Sequence, residues 1–519
     1  MTRIASLVVL LAPLGAAPVH AEDAAAVDTS TVSTPRDLDL RLTLSSFLYR
    51  ESGDDAPALV DQGATIETAS PVQRYFGDLR IELTDGGLAV DARVRQTTSQ
   101  RFQSGASAGG EYEVRTLAYR LGSERTGLTI GRQFIDSVGA TKIDGLALQH
   151  TLGPSIGGVV FAGTFPELGS RSLDTDYPRI RQDDGTDGAH LVPLSGGLGL
   201  AFTSATYHGD LGVAAVYVPQ TVPEATSEEA SRVFTTSSGY LRAGSIAEIY
   251  HFALLDVAGQ AGVALTNGSV GITAHPVANI QLSASVNHVS TDALQIATRN
   301  QLADPDPSAI GILQNNIAVL RVSQDAARAG ASLSLAHQRF EVSLSGGVHR
   351  RPEVSVELAD GSGAVAFPET RSVDATFSVL DRRSLGGTRA SLAASIGAPL
   401  GDELPNAAHS TTVRAGVSRM FARERGQLEV DVTAARFRTS RGMATCTTSL
   451  DVFACYGSSK TTAAELGTLA SWRIAREWLL LADVRVGYRD TTSTTIGGTT
   501  SFPHVYALTT FLRAQWRFH

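Results

Sequence analysis

Val90-Asp91-Ala92-Arg93-Val94-Arg95 alternates apolar and charged side chains without a break. Successive side chains of an extended strand point to opposite faces, so this stretch has one greasy face and one wet face. The same alternation recurs in Leu38-Asp39-Leu40-Arg41-Leu42-Thr43-Leu44 and in Asp78-Leu79-Arg80-Ile81-Glu82-Leu83. It returns in Leu428-Glu429-Val430-Asp431-Val432-Thr433, in Ala482-Asp483-Val484-Arg485-Val486, and in the final Leu512-Arg513-Ala514-Gln515-Trp516-Arg517-Phe518. Such segments run about 10 to 14 residues, against roughly 5 to 6 for a strand in a soluble sheet. That is long enough to cross a bilayer at a tilt.

The connections alternate too. Short turns read at Asp85-Gly86-Gly87, His208-Gly209-Asp210, Leu385-Gly386-Gly387 and Glu424-Arg425-Gly426, and long polar loops at about 51–71, 166–196, 292–326, 352–369, 441–460 and 491–502. Short turns on one side of a membrane and long loops on the other are barrel topology. Walking the chain this way gives about 22 strands, within a range of 18 to 22, and an even number leaves both ends on one side. Lipid offers no hydrogen bonds, so such a sheet must close on itself to remove its edges. The expected fold is therefore all-β: a transmembrane antiparallel up-and-down barrel over 37–519. The first strand starts near Leu38, which leaves no room for a plug domain.

Composition agrees. Charged residues are 18% of the 519, and no apolar run after the N-terminus reaches the length of about 20 that a membrane helix needs. A net charge of -9 gives no reason to expect a nucleic-acid partner. Of the basic residues only Lys142 and Lys460 are lysine. Aromatic residues, at 6%, are few for a fold whose interfacial girdles use Trp and Tyr.

At the N-terminus, Arg3 precedes an apolar run from Ile4 to Leu14, and Val19-His20-Ala21 offers small residues at a cleavage site. That is the pattern of a secretory signal peptide over 1–21, followed by a disordered leader over 22–36. Export makes Cys446 and Cys455, with eight residues between them, candidates for a disulfide that staples a surface loop.

Leu128-Thr129-Ile130-Gly131-Arg132-Gln133, followed by Ile143-Asp144-Gly145-Leu146-Ala147-Leu148, resembles a pair of strands in porins and alginate-export-type barrels. The resemblance covers about 20 residues and implies a substrate-conducting channel with lumenal Arg132 and Asp144. Pairing of those two across neighbouring strands is the alternative. The last strand resembles the terminal signature of outer-membrane proteins that the barrel assembly machinery reads, with its aromatic, Phe518, one residue before the end.

Alternation then assigns the wet face. The pore-lining candidates are Arg80, Glu82, Asp91, Arg93, Arg95, Glu113, Arg115, Arg132, Asp144, Glu429, Asp431, Asp483, Arg485, Arg513 and Arg517. Opposed Arg and carboxylate rows set up a field that orients polar solutes; ion-pair networks that stiffen the wall are the other reading. Asp174, Asp176, Asp183, Asp184 and Asp187 sit among glycines, as weak calcium candidates do, although the spacing is not that of an EF-hand. No G-x-S-x-G, H-E-x-x-H or phosphate loop occurs, and no cofactor is expected. The sequence thus suggests an outer-membrane channel, set in outer-membrane lipids, for small hydrophilic solutes or exported polysaccharide. A structural or adhesive barrel whose long loops bind a partner is the second reading.

Overall fold

The computed structural model describes residues 38–53, 60–61, 64–65, 73–99, 109–166, 173–177, 179–181, 187–190, 192–218, 231–259, 262–290, 323–357, 364–367, 369–400, 407–440, 459–495 and 498–518. The signal peptide, the leader, Cys446, Cys455, Asp183 and Asp184 lie outside the described residues.

Strands β1 (Asp39–Gly53), β2 (Gln73–Asp85), β3 (Leu88–Ser99), β4 (Gly109–Gly122), β5 (Thr126–Ile135) and β6 (Thr141–Gly153) begin the wall. It continues through β7 (Ile156–Thr164), β8 (Leu194–Thr203), β9 (Tyr207–Tyr217), β10 (Arg232–Ala243), β11 (Ala247–Ala258) and β12 (Ala264–Val277). Then come β13 (Ile280–Ser290), β14 (Ser323–Leu335), β15 (Phe340–Arg351), β16 (Thr370–Leu385) and β17 (Thr388–Pro399). The last are β18 (Ala407–Phe421), β19 (Gly426–Ser440), β20 (Ser459–Arg473), β21 (Trp478–Thr495) and β22 (Gly498–Phe518). All 22 form one antiparallel sheet. Its first strand pairs with its last, from Leu40↔Phe518 to Gly53↔Val505, and with β2 on the other side. The ring is closed, and no edge is left to meet lipid.

Alternation decides the two faces. On β19, Leu428 and Val432 are exposed while Asp431 between them is buried. Leu344 on β15, Leu392 and Ile396 on β17, and Leu466 on β20 are likewise exposed. In a closed wall these side chains form the outer surface. From Leu428 to Arg436, eight residue steps of about 3.3 Å at a tilt of about 40° climb roughly 20 Å, close to the apolar band of about 25 Å that such barrels present.

The few aromatics are concentrated where they matter. All three tryptophans, Trp472, Trp478 and Trp516, lie at the short-turn end. Trp472 meets Phe421 edge-on at 6.4 Å, and Trp516 lies 6.3 Å from Trp478 and 6.1 Å from Phe518. A partial girdle therefore exists despite the low total.

Two expected connections are corrected. His208-Gly209-Asp210 is not a turn: it lies inside β9, and the turn is 204–206. Gly209 is small because the Tyr207 ring folds back over it, and Asp210 accepts a 3.2 Å hydrogen bond from Ser238 on β10. Nor is 491–502 a polar loop throughout. β21 and β22 stay paired out to Thr495↔Gly498, because threonine-rich segments satisfy strand geometry without an apolar face.

The wall is uneven. β5, β7 and β8 have 10, 9 and 10 residues, whereas β21 and β22 have 18 and 21. The low side is where the interior is partly filled.

Candidate functional site: the inner face and an infolded hairpin

The inner face of β1 to β4 carries a ladder of ion pairs. Arg80 donates to Asp91 through two bonds of 2.9 and 2.7 Å and lies 3.1 Å from Glu82, which also meets Arg41 at 3.4 Å. Arg93 bonds Asp78 and reaches Glu113 at 3.7 Å. Arg95 lies 3.3 Å from Asp78 and 3.5 Å from Glu111, with its guanidinium over the Phe76 ring. Phe76 in turn stacks on Phe47 at 4.9 Å. Arg115 sits within 4 Å of Asp91 and Glu113. Register explains the ladder: like charges stand opposite at Glu82↔Asp91 and Arg80↔Arg93, so Arg80 reaches Asp91 and Arg93 reaches Asp78 on the diagonal, while Arg93 meets Glu113 and Arg95 meets Asp78 directly across.

A second ladder crosses β18 to β21. Asp431 lies 3.2 Å from Arg414 and 3.8 Å from Arg485. Arg414 also reaches Glu429 at 3.5 Å, and Arg485 donates to Glu465 at 2.7 Å and Asp483 at 3.1 Å. Here four carboxylates share two guanidinium groups, whereas the first ladder balances five against five. Gly416 and Gly467, opposite Asp431 on both sides, leave the room its carboxylate uses. Of the other expected residues, Arg513 is exposed over the Phe511 ring and Arg517 pairs with Asp39 at 2.9 Å. These ladders are not dry: side chains of Arg115, Arg414 and Glu465 remain 44%, 40% and 40% exposed.

Arg132 and Asp144 belong to a different device. They stand opposite each other on β5 and β6, joined by bonds of 2.6 and 2.5 Å. Their positions share the parity of Ile130, Leu146 and Leu148, which are exposed on the outside. By alternation alone they would face lipid. Between them and those residues runs a row of glycines in register, Gly131↔Gly145↔Gly163. Gly131 has φ of 117°, which side chains disfavour, and a Cβ at Gly163 would sit 2.5 Å from the Asp144 carbonyl oxygen. Here the hairpin bends out of the wall.

The tip of the hairpin, a 3-10 turn at Asp136–Val138, packs on β8, β9 and β10. It covers Gly199 and Gly212, and Gly139 abuts Thr236. Gly212 is on the buried face of β9, opposite exposed Leu211 and Tyr217, so the tip lies inside the ring. Ile135, Val138 and Ile143 there join Phe161, Phe165, Ala214, Val216, Val218 and Phe234 in an apolar cluster.

The other face of the bent hairpin is covered by a short helix, α1 (Leu173–Asp176), and Tyr177. Asp176, only 3% exposed, accepts from Arg132 and, at 3.2 Å, from Lys142. The Tyr177 hydroxyl donates to Asp144 at 2.7 Å and shares a 2.6 Å bond with Thr164. Burial, with the Asp144 carboxylate alongside, pushes that hydroxyl well above its ordinary pKa, so it remains a donor. Asp176 therefore spends its carboxylate on two cations. Among the described residues no three metal-ligating side chains converge; the side chains of Asp174 and Asp187 are not described. Sequence reasoning missed Lys142, Tyr177 and the tip; a buried partner for one of just two lysines was the available signal.

A closed ring, apolar outside and charged within, defines the class: an outer-membrane β-barrel. No family model and no curated protein matches the chain. Among solved structures it is similar to Pseudomonas aeruginosa OpdQ, at 10% identity over 93% of this chain and 100% of that one, with a TM-score of 0.37. Acinetobacter baumannii OccAB4 follows at 9% identity, 93% and 98% coverage and 0.37. A bacterial polysaccharide outer membrane secretin is similar at 11% identity, 72% and 98% coverage and 0.29. The functional reading rests on the geometry of this chain.

Proposed function

We propose that the protein is a passive channel for small hydrophilic solutes, with the inner Arg and carboxylate ladders as its pore lining. One observation carries this reading: Arg41, Arg80, Glu111, Arg115, Arg414 and Glu465 on the inner face keep between 33% and 44% of their side chains exposed. Dry burial of so many charges costs several kcal/mol per ion even when paired, so water fills the space they face. The infolded hairpin and α1 narrow that space from one side; along the wall the first ladder is charge-balanced and the second, one strand away, carries a carboxylate excess. Interspersed Arg and carboxylate groups orient a dipolar solute and discriminate ions. Exported polysaccharide is the wider alternative cargo.

Planar-bilayer recording tests the proposal. Insertion of the purified protein is expected to give discrete ohmic steps with a defined ion selectivity. A correctly inserted barrel that stays electrically silent overturns it and favours a structural or adhesive role.

A further inference from the structure

Arg436 and Arg438 occupy outward positions of β19, directly above the apolar row Leu428, Val430, Val432 and Ala434. In register, Arg438 stands opposite His409 on β18 and opposite Lys460 on β20; Arg436 stands opposite Thr411 and Thr462. Arg436, Arg438, Lys460 and His409 are all exposed. Among the described residues none of the four has an ion pair or side-chain hydrogen bond. Elsewhere on that rim charges are neutralised: Arg350 and Arg371 clamp Glu369, and His288 lies 2.7 Å from Asp325.

Like charges directly opposite on neighbouring strands destabilise a sheet, and here Arg438 faces the only exposed lysine of the chain. Threonine would fill these positions without repulsion, as it does one step below. The cluster is placed at the end of the barrel with long loops, away from both termini, just beyond the apolar band. A group that neutralises it must be anionic and sit at the lipid surface of the outer leaflet. The charge and the height together select a phosphate on a lipid headgroup over a solute in the lumen, which these residues do not face.

We propose that Arg436, Arg438 and Lys460, with His409 at the margin, form a docking site for the phosphorylated sugar headgroup of an outer-leaflet glycolipid. Arg supplies forked donors to phosphate oxygens, and Lys adds a compact charge. The acyl chains then lie along the apolar row below. This site is independent of whether the lumen conducts.

The probe is bisphosphorylated lipid A, added to the full-length protein in a neutral detergent and followed by native mass spectrometry. Wild type is expected to bind it, to bind the dephosphorylated lipid far less, and to show no retention of inorganic phosphate. R436S/R438S/K460S is expected to bind the bisphosphorylated lipid about a hundredfold more weakly, from three basic groups near an anionic surface. Heat-modifiable gel migration checks that the variant is closed. If it does not fold, the comparison of the two lipids on wild type decides alone. Equal binding of both lipids, undiminished binding by a folded variant, or equal retention of inorganic phosphate overturns the proposal.

Discussion

Asp176 holds Arg132 from a point 44 residues further along the chain, and its second oxygen takes the Lys142 ammonium at 3.2 Å. This contact fastens α1 onto the hairpin after the hairpin has left the wall. Cutting it leaves the Lys142 ammonium buried without its carboxylate, which typically costs 3–5 kcal/mol, while Arg132 keeps Asp144. Asp176→Ala is expected to lower the unfolding temperature and to make the 166–193 connection a protease site. Unchanged proteolysis patterns would show that the contact does not tether the segment.

Val138, fully buried at the tip, is the apolar anchor of the same hairpin. Val138→Asp places an unpaired charge inside the apolar cluster that includes Val216 and Phe234, at a cost of several kcal/mol. The tip is expected to leave its seat and widen the channel, so single-channel conductance rises. Equal or smaller conductance in a folded variant contradicts the placement.

Gly145 and Gly163 face each other across β6 and β7. A Cβ at Gly145 would enter the Ala162 carbonyl oxygen. Gly145→Val is expected to cost at least 1–3 kcal/mol and to reduce the yield of the heat-modifiable form. Gly153→Val, where a Cβ meets nothing, is the control and is expected to leave that yield unchanged.

Arg93, Arg95 and Arg115 supply three of the five cations in the first ladder. Their replacement together by Ala leaves an acidic excess there. Three charges about 10 Å from a permeating ion, partly screened, change the cation-to-anion permeability ratio by about threefold toward cations at low salt. A reversal potential identical to wild type would remove these residues from the lining.

At the outer rim, hydrogen bonds from Arg350 and Arg371 hold the Glu369 carboxyl down to about 2. A depressed carboxylate contributes stability above its unfolded pKa of about 4.3 that is lost as pH falls through the folded value. Carboxyl NMR titration is expected to place the midpoint near 2, with Arg350→Gln raising it. An ordinary midpoint in wild type would mean the clamp is open.

The strand number and both ends of the barrel were legible because β1–β4 and β18–β22 carry charge on one face and apolar groups on the other. The stretch from β5 to β11 was harder for a physical reason. Its inner face packs against the hairpin tip, so Val159, Phe161, Ala214, Val216 and Phe234 are apolar where a wet face would be polar. Period-two contrast fades there, and His208-Gly209-Asp210 passes for a turn. Arg132 pairs with Asp144 across β5 and β6, one of the two readings their spacing allows. The bend that takes both off the lipid face depends on three glycines meeting across strands, which spacing along one chain does not reveal.

Neighbouring residues of one strand face water inside and lipid outside. Thr433 and Ala434 of β19 test this, in a background of C446S/C455S. With Thr433→Cys or Ala434→Cys in liposomes, a charged, membrane-impermeant maleimide is expected to label 433 only, and a lipid-soluble quencher to reach a fluorophore at 434 only. Equal labelling at both positions, or the reverse order, would contradict the account.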